Sequence, residues 1–253
     1  MATYYFRNSN GNWSAASSWS TSSGGLANGA VPTATDDAIL DNNSGGCTVD
    51  AASVCKSLTC TGYTGTLTMT NGLTISGNIT LVSGMTISGA SGLTFNASST
   101  WISNNKTWPN SITVSATSTI TINSFVFTIG GTLTLSAALT FAGTNGFTTN
   151  NFTCTTAGLT HTLVAGNTYT ITGVMTTTGT ATSHIILTSS SAGTYAILTL
   201  TGTQDNGFLD GTWIDSSNGQ TIWTYSGVLS NTLNWQDMSV FPVNTSFTFL
   251  GGF

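Results

Sequence analysis

The chain has 253 residues, of which only 4% are charged; every acid is Asp and the only bases are Arg7, Lys56 and Lys106. Three bases cannot neutralise a run of phosphates, so nucleic-acid binding is excluded. Thr, Ser and Gly interrupt every apolar run far short of the roughly 20 residues of a spanning helix, and the segments are too short for an outer-membrane barrel, so no membrane insertion is expected.

Hydrophobic residues still make up 39% of the chain and are spread evenly, which favours order around a continuous core over disorder. Residues 1 to 60 hold Trp13, Trp19, a Gly-rich turn stretch from Gly24, Val31-Pro32 and strand-like Ala38-Ile39-Leu40, and read as an N-terminal cap. The opening residues lack the basic start and apolar stretch of a cleaved secretory signal. The Asp36-Asp37 pair follows Pro32-Thr33 and reads as a turn, not an acid pair. Cys47, Cys55, Cys60 and Cys154 match no zinc or redox spacing. They read as buried small apolar residues, with a disulfide from Cys47 to Cys55 or Cys60 as the alternative.

From 61 to 203 the chain repeats an apolar-Thr-apolar triplet. Copies include Leu67-Thr68-Met69, Leu73-Thr74-Ile75, Ile79-Thr80-Leu81, Leu93-Thr94-Phe95, Ile112-Thr113-Val114, Leu133-Thr134-Leu135 and Leu139-Thr140-Phe141, with looser ones such as Leu198-Thr199-Leu200. Apolar residues two apart share one face of a strand and Thr takes the other. Starts at 67, 73, 79 and 85 give a hexapeptide period, a mark of β-helices, and three hexapeptides predict a turn of about 18 residues, with looser turns running somewhat longer. No window carries the 3.6 period of a helix. The predicted fold is therefore all-β: a parallel β-solenoid with outward Thr ladders and with Asn71-Gly72 and Ser76-Gly77-Asn78 as left-handed corners. A β-sandwich or jelly roll built from the same short strands is the alternative.

Trp101 and Trp108 flank Lys106 where the repeat stretches from 93 to 112. They are candidate glycan contacts on a loop leaving the coil, or else rings that cover an apolar coil surface. His161 and His184 lie far apart in Thr-rich repeats and read as surface or corner residues. Residues 204 to 240 regain charge and aromatics and read as a closing region. Their Asp205, Asp210 and Asp215, spaced by five, read as turn-forming residues and are weak candidates for a metal site; no catalytic set or cofactor is expected. Residues 241 to 253 carry no charge and four Phe, and read as an assembly tail. There Phe241, Phe247, Phe249, Leu250 and Phe253 would add to an edge of a second copy by β-augmentation.

The opening Tyr4-Tyr5-Phe6-Arg7-Asn8, Asn12-Trp13, Ser18-Trp19-Ser20, Val31-Pro32-Thr33, Asp36-Asp37-Ala38, Cys47-Thr48-Val49-Asp50 and Cys55-Lys56-Ser57-Leu58 resembles the start of β-solenoid virion proteins of tailed bacteriophages, and similar openings occur in bacterial surface β-helix proteins. The resemblance covers about the first 90 residues and the remainder only in style. It implies a fibre, spike or decoration protein on a virion or extracellular surface, assembled with itself, trimers being the common form, and with other virion proteins. It carries no catalytic residue across. Glycoside hydrolysis needs two flanking carboxylates, and between Asp50 and Asp205 there is none; Lys106 is the only base in that span besides Lys56. The expectation is a non-enzymatic structural protein, with a carbohydrate-binding receptor module or a polysaccharide-degrading tailspike-type enzyme as alternatives.

Overall fold

A triplet that buries two side chains and exposes Thr gives each strand one dry face and one wet face. A short strand of this kind is stable only if its backbone edge is paired and its dry face is covered. A computed structural model describes residues 1–7, 10–27 and 30–240, and meets both needs by winding the chain into a parallel β-solenoid. Its strands form sheets of 12, 4, 11 and 2 members, and all pairings but one between the named strands are parallel. The exception is Trp19–Ser20, which lies antiparallel along Thr3–Phe6. Among the described residues the only helical pieces are the 3-10 turns Ala16–Ser18 and Met238–Val240.

Every turn repeats the one below in register. On one face Leu73, Leu93, Ile112, Leu133 and Phe152 stack in a buried rank, and between them and their inward neighbours Thr74, Thr94, Thr113, Thr134 and Thr153 form an outward ladder. A second ladder runs through Thr119, Thr140, Thr162, Thr188 and Thr212. Stacked strands sit about 4.8 Å apart, so β-branched Thr side chains pack along the ladder while their hydroxyls meet water. The inner ranks merge into one core that runs the length of the described chain, from Phe6 to Ile222.

The turn is longer than the hexapeptide count predicts. Leu73 pairs with Leu93 and Leu93 with Ile112, so one turn takes about 20 residues, and later turns are longer still, as Thr168 with Ile197. The reason is that corners exceed three residues: residues 81 to 85 separate Ile79–Thr80 from Thr86–Gly89 in a turn that has a strand on every face. One of the three faces ends at Thr86–Gly89 and resumes only at the Trp108–Ile129 bridge, without lengthening the turn from Leu93 to Ile112.

Parallel pairing also crosses the predicted boundaries of the body. Tyr4 pairs with Ala38 and Ala38 with Leu58 before residue 61, and Leu187 pairs with Gly211 and Gly211 with Leu229 after residue 203. Asp36 behaves as a turn residue: it accepts hydrogen bonds from the Thr33 hydroxyl and from the Thr33 and Ala2 amides, and these hold its carboxyl below the usual carboxylate range. The four cysteines are free thiols, all buried, so the alternative of a Cys47 disulfide is corrected. Desolvation pushes the Cys60 thiol up to about 12 and keeps it protonated.

The corner glycines differ from those predicted. Gly72 and Gly77 do not take left-handed angles; Gly77 instead lets its backbone approach the Lys56 carbonyl, 3.0 Å from where a Cβ would lie. Left-handed angles are found at Gly89 (φ 85°) and Gly143 (φ 96°), where a Cβ would also run into the carbonyl of the turn below, Met69 or Ile122. At Gly166 (φ 80°) there is open space around the same position. Gly166→Ala should therefore cost only the left-handed strain, about 1–2 kcal/mol, whereas Gly143→Ala adds overpacking against the ladder and should cost about 3 kcal/mol or more. Chemical denaturation of the two variants checks the difference, and equal losses would contradict the close-approach reading.

Candidate functional site

The faces of the body carry hydroxyls and almost no titratable groups, because residues 107 to 204 contain no Lys, Arg, Asp or Glu. A surface depression of about 370 Å³ forms a trough beside the Thr48–Thr68 ladder, lined by Asn10, Gly46, Thr48, Gly65, Thr66 and Thr68, none of them ionisable. Chemistry has to be sought where the repeat is broken.

Trp101 and Trp108 do not provide it. Both rings are 0% exposed, which corrects their assignment as glycan contacts. The stretch from 93 to 112 is not a loop leaving the coil: it contains the strand Ser99–Ile102, whose Trp101 takes an inward position between Ile79 and Ile122. The Trp101 ring packs on Phe95 and Phe127 at 4.8 and 5.1 Å, and its Nε1 donates to the Ser99 hydroxyl. Trp108 is held through its amide, which donates to the Thr128 carbonyl. Lys106 donates to the Met85 carbonyl and is fixed to the turn below.

His161 is a second correction, being fully buried and not at a surface or corner. It sits in the core rank between Leu139 and Leu187, with Nε2 2.8 Å from the Cys154 Sγ. Burial pushes the imidazole pKa down to about 4 and the thiol up to about 12, so at neutral pH both are uncharged. A neutral thiol and a neutral ring sealed in a core form a structural contact, not a nucleophile and base. The unfolded chain takes up a proton on this ring near its ordinary 6.5, but the folded chain refuses it until about 4. Stability due to neutral His161 is full above pH 6.5 and is lost as the pH falls towards 4, by on the order of 3 kcal/mol. His161→Leu, which continues the Leu139–Leu187 rank, is expected to abolish that component in denaturation curves measured between pH 7 and pH 4.

The three aspartates of the closing region do not converge. Asp205 stands outward in the strand Thr203–Gly207, Asp210 lies in Leu209–Thr212 on another sheet, and Asp215 caps a local turn by accepting the Ser217 amide. No group of three or more His, Cys, Asp or Glu placed to hold a metal ion occurs among the described residues. Asp210 Oδ1 is 2.7 Å from His184 Nδ1 and also accepts the Val228 amide at 2.7 Å. It thereby links three successive turns. Among the described residues no hydroxyl or thiol hydrogen-bonds the other nitrogen of His184, so this half-buried pair lacks the nucleophile that a catalytic dyad would activate.

One groove of about 330 Å³ combines aromatic and polar side chains. It lies at the end of the face that carries Leu73 to Phe152, between the strands Thr203–Gly207 and Ile222–Thr224, and Met238 lines it too. Here the repeat inverts. Trp223-Thr224-Tyr225 has the apolar-Thr-apolar spelling, but Ile222 and Thr224 are buried while Trp223 and Tyr225 are 50% and 57% exposed. A shift of one residue flips every side chain to the other face. The inversion is fixed by Thr224, whose hydroxyl accepts the buried Leu209 amide at 3.0 Å, a bond an apolar residue could not make. Beside the rings, Gln204 and Asn206 lock each other. Gln204 Oε1 accepts from Asn206 Nδ2 (2.9 Å) and from the Trp223 amide (2.8 Å), Gln204 Nε2 donates to the Thr221 carbonyl (2.7 Å), and Asn206 Oδ1 accepts the Thr177 hydroxyl (2.7 Å). Asp205, between them, is exposed, and no hydrogen bond from the described residues reaches its carboxylate.

The predicted assembly residues Phe241, Phe247, Phe249, Leu250 and Phe253 lie outside the described residues. In comparisons with family models, curated proteins and solved structures, no match to this chain was found. The protein is thus defined as a class by its fold, a parallel β-solenoid of Thr-laddered repeats.

Proposed function

We propose that the protein is a non-enzymatic structural subunit of a virion or extracellular fibre, spike or decoration, and that copies join through the C-terminal end of the solenoid. The observation that carries this reading is the C-terminal edge of the solenoid. At the N-terminal end Trp19–Ser20 covers the edge of Thr3–Phe6, while Gly11–Asn12 and Ser53–Cys55 are the last members of their sheets among the described residues. At the other end Leu229–Ser230 and Trp235–Asp237 are the last members of their sheets among the described residues, and Val228, Leu233 and Met238 are exposed beside them. A parallel edge next to apolar side chains is a template for strand addition. The resemblance of about the first 90 residues to phage virion and bacterial surface proteins points the same way.

In this reading residues 241 to 253 supply the added strand and the assembly is a homo-oligomer, with a trimer as the form the resemblance implies. Light scattering of the full chain at micromolar concentration is expected to give an oligomer, and a variant ending at residue 240 a folded monomer. A monomeric full chain, or an oligomer unchanged by the deletion, would refute docking through the tail.

The enzyme alternative is tested separately. Incubation with capsule or exopolysaccharide is expected to release no oligosaccharide, and release that Asp210→Asn abolishes would overturn the structural reading in favour of a tailspike-type enzyme.

A further inference from the structure

We infer that the groove around Trp223 and Tyr225 is a binding site for a β-linked pyranose oligosaccharide. The inference does not rest on the fibre reading, since a free monomer would carry the same groove.

The first observation is the inversion of the repeat. Elsewhere in the body the triplet sends Thr outward and its apolar residues into the core, and burying two aromatic rings would stabilise the last turns by several kcal/mol. At 223 to 225 the two largest side chains of the turn stand in water instead, and buried Thr224 holds them there through the Leu209 amide. Trp223 lies in the strand Ile222–Thr224 and Tyr225 follows directly past its end, with its ring edge-on to Phe208 at 6.3 Å. With backbones roughly 7 Å apart, the two exposed rings offer a surface longer than a single sugar ring.

The second observation is the polar set beside that platform. Gln204 and Asn206 are fixed by the hydrogen bonds described above in the inward positions of their strand, paired with buried Met175 and Thr177, so the alternation of the strand sends Asp205 outward. The Asp205 carboxylate is an acceptor with no protein partner among the described residues. A purely apolar occupant would bury that carboxylate unpaired, at a cost that opposes binding. A phosphate-bearing ligand would be repelled by it, and the chain's net charge of −5 at pH 7 offers no compensation. A pyranose chain satisfies both halves of the groove. Its C–H faces cover the aromatic rings while equatorial hydroxyls donate to Asp205. The groove volume of about 330 Å³ falls within the range of small-ligand sites.

Tryptophan fluorescence of the full chain reads this site directly. Trp13, Trp19, Trp101 and Trp108 are buried and Trp213 and Trp235 half-buried, so Trp223 is the ring that acrylamide reaches most readily. The probes are β-1,4-linked oligosaccharides of glucose, N-acetylglucosamine, mannose and xylose, six units long. At least one is expected to protect Trp223 from quenching in a saturable way. Trp223→Ala and Tyr225→Ala, followed by calorimetric titration with that oligosaccharide, should each lower affinity about tenfold or more, the size of one lost stacking contact. Asp205→Asn should lower it less, and the melting temperatures of Trp223→Ala and Asp205→Asn should match the parent, because those side chains are exposed, whereas Tyr225→Ala also loses its edge contact with Phe208 and should melt somewhat lower. The inference is overturned if none of the probes protects Trp223, or if affinity survives in both aromatic variants. It is also overturned if Trp223 is already shielded in the sugar-free chain, which would mean that the protein's own terminus fills the groove.

Discussion

The structure depends on backbone hydrogen bonding between successive turns. Each strand finds its donors and acceptors on the strand about 20 residues before it and the strand about 20 residues after it, and nothing else in the chain is needed to satisfy them. Once the ladder is in register, identical positions fall on top of one another. Leu then meets Leu in the core and Thr meets Thr outside, without charges to steer the pairing. This is how the protein holds together with so few ionisable groups. Its special features lie near Trp108, at the Cys154–His161 contact inside the core rank, and at the last turns.

Much of this was legible in the sequence. The triplet repeat revealed strands, their inward and outward faces and the parallel stacking, because a period of two residues within a strand and a fixed spacing between strands leave few other solutions. The exact length of the turn was not legible, since counting hexapeptides assumes three-residue corners, and corners such as residues 81 to 85 are longer. His161 was misread although the signal was present. His161-Thr162-Leu163 is a copy of the triplet with His in an apolar position, and taking the frame literally would have put the ring in the core. The same holds for Trp101, two residues after Ser99 in an alternating strand. In both cases the chemical identity of the residue was allowed to outweigh its position.

The groove at 204 to 225 presents the opposite problem. Trp223-Thr224-Tyr225 obeys the spelling of the repeat and reads as one more buried pair, yet its phase is reversed. Pattern alone cannot reveal phase, because the same alternating residues fit a strand with either face inward. What settles it is a hydrogen bond between Thr224 and the turn below, which exists only in three dimensions. The aspartates fared similarly: even spacing in sequence suggested a cluster, but consecutive strands of one turn point to different sheets, so residues five apart diverge.

The scarcity of bases has one further consequence. A protease that cuts after Lys or Arg has three sites in the whole chain, and none lies beyond Lys106. Each of the three is engaged: Arg7 donates to the Ser17 and Gly25 carbonyls, Lys56 faces Asp37 at 3.7 Å, and Lys106 is held by the turn below. Residues 107 to 253 would thus stay in one piece in the presence of such an enzyme even when unfolded. The hydroxyl-covered surface that removes charge from the ladder also removes the chain's vulnerability to basic-specific digestion, a form of durability that owes nothing to folding stability.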